Sequence, residues 1–358
     1  MNQYRLHIVA LPHVNTDGKT PTCAYTGKVE RACAMFASMN HAVYLYSGRE
    51  NTAPCTEHIR CTKATGTLPA FDANGPEFAA MNAKVIQQMR KRIQPRDMIL
   101  LIGGDCQKPI ADAFPENFAV EYGIGYAGTF ARFQVFESYA WMHAVYGSQQ
   151  GAYAANGNYW HTVIPNYYRV SDFPEPCEKP SDYFLYIGRL TARKGIAVAE
   201  RTCEAIGARL IIAGAGEYVP TYGEVIGTVG VKERGELMRN ARAVFVPTTY
   251  LGPFEGVHAE ANLCGTPVIT TPWGVFSESV LDGFNGFKCN TLSEFVQATN
   301  EVAGLSRNLI RLDAISRFDM ERVKYQYQAY FDRINTLWGD GWNSLWDDQL
   351  TKSFQPPS

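Results

Sequence analysis

The chain of 358 residues has no excess of either charge: 33 Lys and Arg stand against 35 Asp and Glu, a formal net charge of -2. A protein that held nucleic acid through broad phosphate contact would be strongly basic, and that footprint is missing overall. Nor does the chain contain a C-x-x-C pair or the cysteine and histidine spacing of a structural zinc site. Its nine cysteines are scattered and odd in number, which predicts free thiols in a reducing compartment. No apolar run approaches the roughly 20 residues that span a bilayer. The opening MNQYRLHIVALP reads as a first strand rather than a secretory signal. Internal repeats and low-complexity tracts are also missing. Together these absences predict a soluble cytoplasmic protein with no transmembrane segment and no zinc site, in which a nucleic-acid partner is not indicated by net charge.

What is present is a rich core: 46% of residues are hydrophobic and 19% charged. At this length two domains of about 150–180 residues are expected. Leu6 to Leu11 reads as a strand, followed by a polar loop to about Gly27, a helix from Lys28 to Met39 and a strand from Ala42 to Tyr46. This β-loop-α-β opening is that of a doubly wound sheet. Further elements are a helix over about 77–94, a strand Met98 to Ile102 ending in Gly103-Gly104-Asp105, and a strand from Phe118. A helix over Val135 to Tyr146 and a strand from His161 to Pro165 complete the first half. Three prolines interrupt the pattern between Asn166 and Pro180, which marks a linker. The alternation then resumes, and residues from Met320 to Trp338 read as a long amphipathic helix. The predicted class is α/β, with two Rossmann-like doubly wound domains facing across a cleft. Expected boundaries are 1–170 for the first domain, 171–318 for the second, and 319–358 for a terminal helix and tail.

The stretch DYFLYIGRLTARKG carries the first chemical signal. An apolar run ends in Gly188-Arg189, and Lys194-Gly195 opens the next helical segment. Guanidinium and ammonium five residues apart, beside a helix start, make an anion site suited to a nucleotide diphosphate. A second signal is YLGPFEGVHAEANLCGTPVITTPWGVFSESVLDGFNGF. Here a helix over 255–264 is expected after Pro253, with the amides of Phe254, Glu255 and Gly256 facing phosphate. Glu260, within that helix, is placed to accept two hydrogen bonds from a ribose diol.

The pair GRLTARKG and GPFEGVHAEANLCGTPVITTPWGVFSESVLDGFNG resembles the retaining family 4 glycosyltransferases of the GT-B fold. The resemblance is strong over about residues 160–290 and weaker before. It implies a glycosyl group moved from a nucleoside diphosphate sugar, a UDP-sugar first, to an acceptor hydroxyl with retention. It implies no cofactor and no metal. Arg189 and Lys194 would hold the diphosphate and neutralise the leaving group, and Glu260 would hold the ribose. Gly227, Thr228 and Val229 would edge the base, while Phe254, Glu255, Gly256 and Val257 would meet phosphate and sugar. The chain departs from the family at Gly252, where the first glutamate of the E-x7-E motif stands. The donor is therefore expected to lack a group that this carboxylate binds, as a pentose or deoxy sugar does. Glu255 and Glu260, if both helical, lie about 140° apart around the axis.

The resemblance gives the first half the acceptor. Candidates there are Asp105 after a strand, to orient an acceptor hydroxyl, and His143 on an aromatic helix, to bond a sugar hydroxyl, while Thr26, Gly27 and Lys28 at a helix start would meet the diphosphate. The aromatic group Tyr139, Trp141, Tyr146, Tyr153, Tyr159 and Trp160 reads first as core packing. A basic helix end (Arg90, Lys91, Arg92, Arg96) leaves the acceptor open between a glycan, a lipid and a modified nucleic-acid base. Two other readings of the chain are a GT-B sugar-nucleotide epimerase and a non-catalytic nucleotide-sugar-binding module.

Overall fold

A computed structural model of the chain describes residues 1–18, 24–64, 72, 74–150 and 160–336. Tyr153, Tyr159, Trp338 and the tail holding Trp342 and Trp346 lie outside them. The chain divides into two compact units. Unit 1 takes Met1–Val135, Asn158–Ile164 and the chain from Val323 on; unit 2 takes Phe136–Gly157 and Pro165–Arg322.

The first sheet holds β1 (Arg5–Val9), β2 (Ala42–Ser47), β3 (Glu57–Arg60), β4 (Met98–Leu101), β5 (Phe118–Ile124), β6 (Phe133–Phe136) and β7 (His161–Val163). Their order is β3-β2-β1-β4-β5-β6-β7, with β1 to β5 paired in parallel. All four residues of β4, MILL, are buried, as a strand covered on both faces requires. Helices α1 (Ala24–Ser38), α2 (Pro76–Met89) and α3 (Lys108–Asp112) pack on the sheet. Val85 and Met89 of α2 meet Ile99 and Leu101 in one core. The terminal helix, here called α11 (Met320–Thr336), joins unit 1 from Val323, where Tyr327 and Phe331 set their rings 5.5 and 5.4 Å from Phe36.

In unit 2 the strands are β8 (Phe184–Ile187), β9 (Leu210–Ala213), β10 (Glu224–Gly227), β11 (Val244–Val246), β12 (Val268–Thr270) and β13 (Gly286–Lys288). They form a parallel sheet ordered β10-β9-β8-β11-β12-β13. Around it lie α4 (Tyr139–Gln150), α5 (Ile196–Ala205), α6 (Val231–Asn240), α7 (Val257–Leu263), α8 (Phe276–Ser279), α9 (Leu292–Glu301) and α10 (Arg307–Phe318). Alternation along β8 feeds two cores: Leu185 and Ile187 enter one, Phe184 and Tyr186 the other. Among the described residues no helix is long and apolar enough to cross a membrane, and every cysteine is a free thiol.

Two expectations need correction. The helix expected over Val135 to Tyr146 is a strand, β6, followed by α4, because Ser138 caps the helix by accepting from the Trp141 amide at 3.1 Å. The helix expected over 255–264 is shorter. It starts at Val257, and Glu255 lies outside it with φ of 55°.

Strand order places the reversal of winding in unit 2 between β8 and β11, so the loops leaving these two strands flank a crevice of the kind that binds ligands in open α/β sheets. Gly195 lets the two loops meet. It has φ of 73°, and a Cβ there would sit 1.8 Å from the Pro247 carbonyl oxygen. Gly195→Ala is expected to destabilise unit 2 by about 2–4 kcal/mol, from left-handed strain and overpacking. Urea unfolding measures this; an unchanged midpoint would contradict the close approach.

Candidate donor site

Two loops build the site. The first runs from Gly188 through Arg189 and a 3-10 turn, Ala192–Lys194, into α5. The second runs from Pro247 to α7. Besides the Gly195 contact, the Thr249 amide and hydroxyl both donate to the Arg193 carbonyl, at 3.0 and 3.1 Å. The Arg193 guanidinium lies 4.0 Å from the Tyr250 ring centroid. These contacts set Lys194 against the second loop, where its ammonium pairs with the Glu255 carboxylate. Tyr250 donates to the other carboxylate oxygen at 2.6 Å. The Lys194 and Glu255 side chains are 17% and 5% exposed, so the pair is largely shielded from water. Arg189 is exposed, and its guanidinium makes no hydrogen bond or ion pair among the described residues. Of the two cations read from the sequence, one is engaged by the protein and the other is open to a ligand.

Glu260 is buried in α7, 9% exposed. Its Oε2 lies 3.0 Å from Arg234 Nε on α6 but receives no aligned hydrogen bond. The open acceptor leaves the carboxylate able to take a further hydrogen bond. Gly227 ends β10 with φ of 78°, and its carbonyl accepts from the Gly214 amide at 2.7 Å. Thr228 and Val229 follow as the turn into α6, Thr228 exposed. Phe254 is core: 2% exposed, its ring 5.1 Å from His258 and 5.6 Å from Phe318. Gly252 is buried, while Gly256 and Val257 at the head of α7 are half-buried. A Cβ at Gly256 would lie 2.6 Å from the Tyr168 hydroxyl.

Sequence reasoning missed His258, which is fully buried. Its Nδ1 faces the Glu255 carbonyl at 2.8 Å; a carbonyl only accepts, so this nitrogen carries the proton. Burial drops the imidazole pKa to about 4 and keeps it neutral. The signal was visible only as a histidine three residues after Glu255. Also unread was Glu200, whose carboxylate accepts from Tyr218, Thr221 and Tyr222 and fixes the loop after β9.

In unit 1, Thr26, Gly27 and Lys28 lie within the first two turns of α1, which starts at Ala24 rather than at the expected Lys28. Lys28 is buried and donates to the Gly123 carbonyl at 3.2 Å at the end of β5. Asp105 is exposed, with its amide donating to the Gly128 carbonyl at 3.0 Å and its carboxyl pKa raised by burial against the pull of Lys108. Nearby, Glu121 is fully buried and accepts from the Phe130 and Ala131 amides at 2.9 and 2.8 Å and from Tyr126 at 3.1 Å. His143 lies exposed on α4, its ring 6.3 Å from Tyr139, and α4 groups with unit 2. Among the described residues no group of three or more His, Cys, Asp or Glu is placed to hold a metal ion.

Residues 181–304 match the family model for glycosyl transferases group 1, a span that contains both site loops. By sequence, no curated protein matches the chain. Solved structures match it over nearly its whole length. A sucrose-phosphate synthase from Thermosynechococcus elongatus has a TM-score of 0.72 at 15% identity, covering 93% of this chain and 100% of the other. HepE from Anabaena, in complex with UDP and glucose, has a TM-score of 0.65 at 16% identity, covering 92% and 100%. A glycosyltransferase of avilamycin A biosynthesis scores 0.64 at 18% identity, covering 92% and 98%. The two parallel-sheet units are thus the GT-B architecture of glycosyltransferases.

Glu121 yields a pH prediction. Burial outweighs its three donors and lifts its carboxyl from 4.5 to about 7 in the folded chain. Between these values the folded state holds the extra proton, so stability falls as pH rises from about 4.5 through 7, by on the order of 3 kcal/mol. Glu121→Gln mimics the protonated form and should remove this component. Urea unfolding across that pH range tests it; equal slopes for the two proteins would refute the assignment.

Proposed function

We propose that the chain is a retaining glycosyltransferase that moves a sugar from a nucleoside diphosphate donor to an acceptor hydroxyl without a metal. The observation that carries this is the meeting of two loops at the winding reversal of unit 2, with Arg189 exposed, Lys194 alongside and Glu260 buried with an open oxygen. In this reading Arg189 and Lys194 meet the diphosphate and offset the negative charge that grows on it as the glycosidic bond breaks. The ribose diol donates to Glu260, and the Gly227 to Val229 turn edges the base. Lys194 and Glu255 are paired in the resting site, so the diphosphate arrives at an ammonium already part-neutralised and shares it with the carboxylate.

The preferred donor is a UDP-sugar. Support comes from the family match over 181–304 and from HepE, a protein of the same fold solved with UDP and with UDP-glucose. Retention rests on the sequence resemblance. The acceptor is a hydroxyl compound, with Asp105 as a candidate contact in unit 1 and His143 as one on α4; Thr26, Gly27 and Lys28 are candidates for the diphosphate. A cytoplasmic setting agrees with the free thiols.

Acceptor-dependent release of UDP, followed across a panel of nucleotide sugars and acceptors, tests the reading. Arg189→Ala and Lys194→Ala are each expected to lower turnover about 10²–10³-fold. Glu260→Ala should weaken UDP binding about tenfold, the order of a lost hydrogen bond to a charged group. Donor binding without any turnover would favour a non-catalytic binding module. Epimerised nucleotide sugar without transfer would favour an epimerase. Unchanged rates in both cation variants would remove the proposed site.

A further inference from the structure

We propose that the Glu255 carboxylate, turned back over Gly252 and held there by His258, reads a hydroxyl of the transferred sugar. The inference rests on the donor-site reading above and names what selects the sugar within it. Four observations carry it.

The first is space. A Cβ built on Gly252 would lie 2.6 Å from Glu255 Oε1, with Cγ of the same side chain closer still. The direction in which residue 252 would send a side chain is already filled by the carboxylate of residue 255. The second is strain. Glu255 has φ of 55°, a left-handed conformation that a glycine adopts without penalty and a glutamate does not. Strain held at a ligand site is an observed feature that calls for a role. The third is the clamp. The Glu255 carbonyl accepts from both the amide and Nδ1 of His258, at 3.1 and 2.8 Å. The His258 ring is wedged among Phe254, Phe276 and Phe318, with ring centroids 5.1 to 5.8 Å away. His258 is thus a positioning residue: it fixes the turn that aims the carboxylate.

The fourth is acceptor capacity. Tyr250 takes one lone pair of the carboxylate and Lys194 another, so each oxygen keeps a lone pair for a further donor. A sugar bonded to a phosphate held by Lys194 has its hydroxyls within a few ångströms of that carboxylate. On this geometry the glycine at 252 does not require a pentose or deoxy donor. The carboxylate has moved three residues along the chain and been folded back.

The test compares binding of UDP with that of UDP-glucose, UDP-galactose and UDP-N-acetylglucosamine by calorimetry, using the full chain. The readout is the advantage of the best nucleotide sugar over UDP. Glu255→Gln keeps the side chain's shape and should cut that advantage about tenfold or more while UDP affinity is held or rises, because Lys194 is freed. Gly252→Ala, which pushes the carboxylate aside, should do the same and answers the question if the first variant fails to fold. His258→Phe keeps the aromatic volume but loses the donor. It should lower the sugar advantage too, with His258→Asn restoring part of it. An undiminished advantage in Glu255→Gln or Gly252→Ala overturns the proposal. So does a wild-type chain that binds UDP but gains nothing from any of the three sugars. A chain that fails to bind UDP at all overturns the donor-site reading instead.

Discussion

Everything at the candidate site follows from one close approach: the backbone of Gly195 pressed against the carbonyl of Pro247. Only there do the loops leaving β8 and β11 come near enough for Thr249 to bond Arg193 and for Lys194 to reach Glu255. A side chain at 195 would wedge them apart. The strands bring the loops to the same edge of the sheet, but a parallel ladder by itself leaves their tips free to diverge. Backbone contact turns two flexible connections into one charged surface, and the shielded ion pair then gains strength from the reduced access of water.

The pairing of Lys194 with Glu255 has a second effect. An isolated, half-buried ammonium would be costly to keep desolvated, and its own carboxylate offsets much of that cost. Arg189 needs no such partner because it stays in water. The two cations therefore have different readiness for an anion. Arg189 is exposed and unpaired among the described residues, whereas Lys194 already shares its charge with Glu255.

Much of this could be read from residue order. The apolar runs of β4, β8 and β11 are unambiguous because strands buried on both faces carry no polar alternation, and Gly188-Arg189 and Lys194-Gly195 fall at their ends by local rules. Glu260 was legible as a helix residue near a loop. The path of Glu255 was not. Its left-handed turn is set by His258 and by the space left at Gly252, which are contacts of tertiary structure rather than propensities of the segment. The same limit hid β6, since FQVF before Ser138 fits either a strand or the start of a helix until the cap is seen. Short strands such as β3 and β13 offer too few residues for a period to show.

The composition of unit 1 from three separate stretches has a consequence for synthesis. Phe36 waits for Tyr327 and Phe331, which are made only after every residue of unit 2. The later-encoded half can therefore mature first during translation, while the earlier half is kept open for want of its final helix. Until those two rings are made, the face of Phe36 that they cover has no partner, and this is the interval in which chaperone protection matters most.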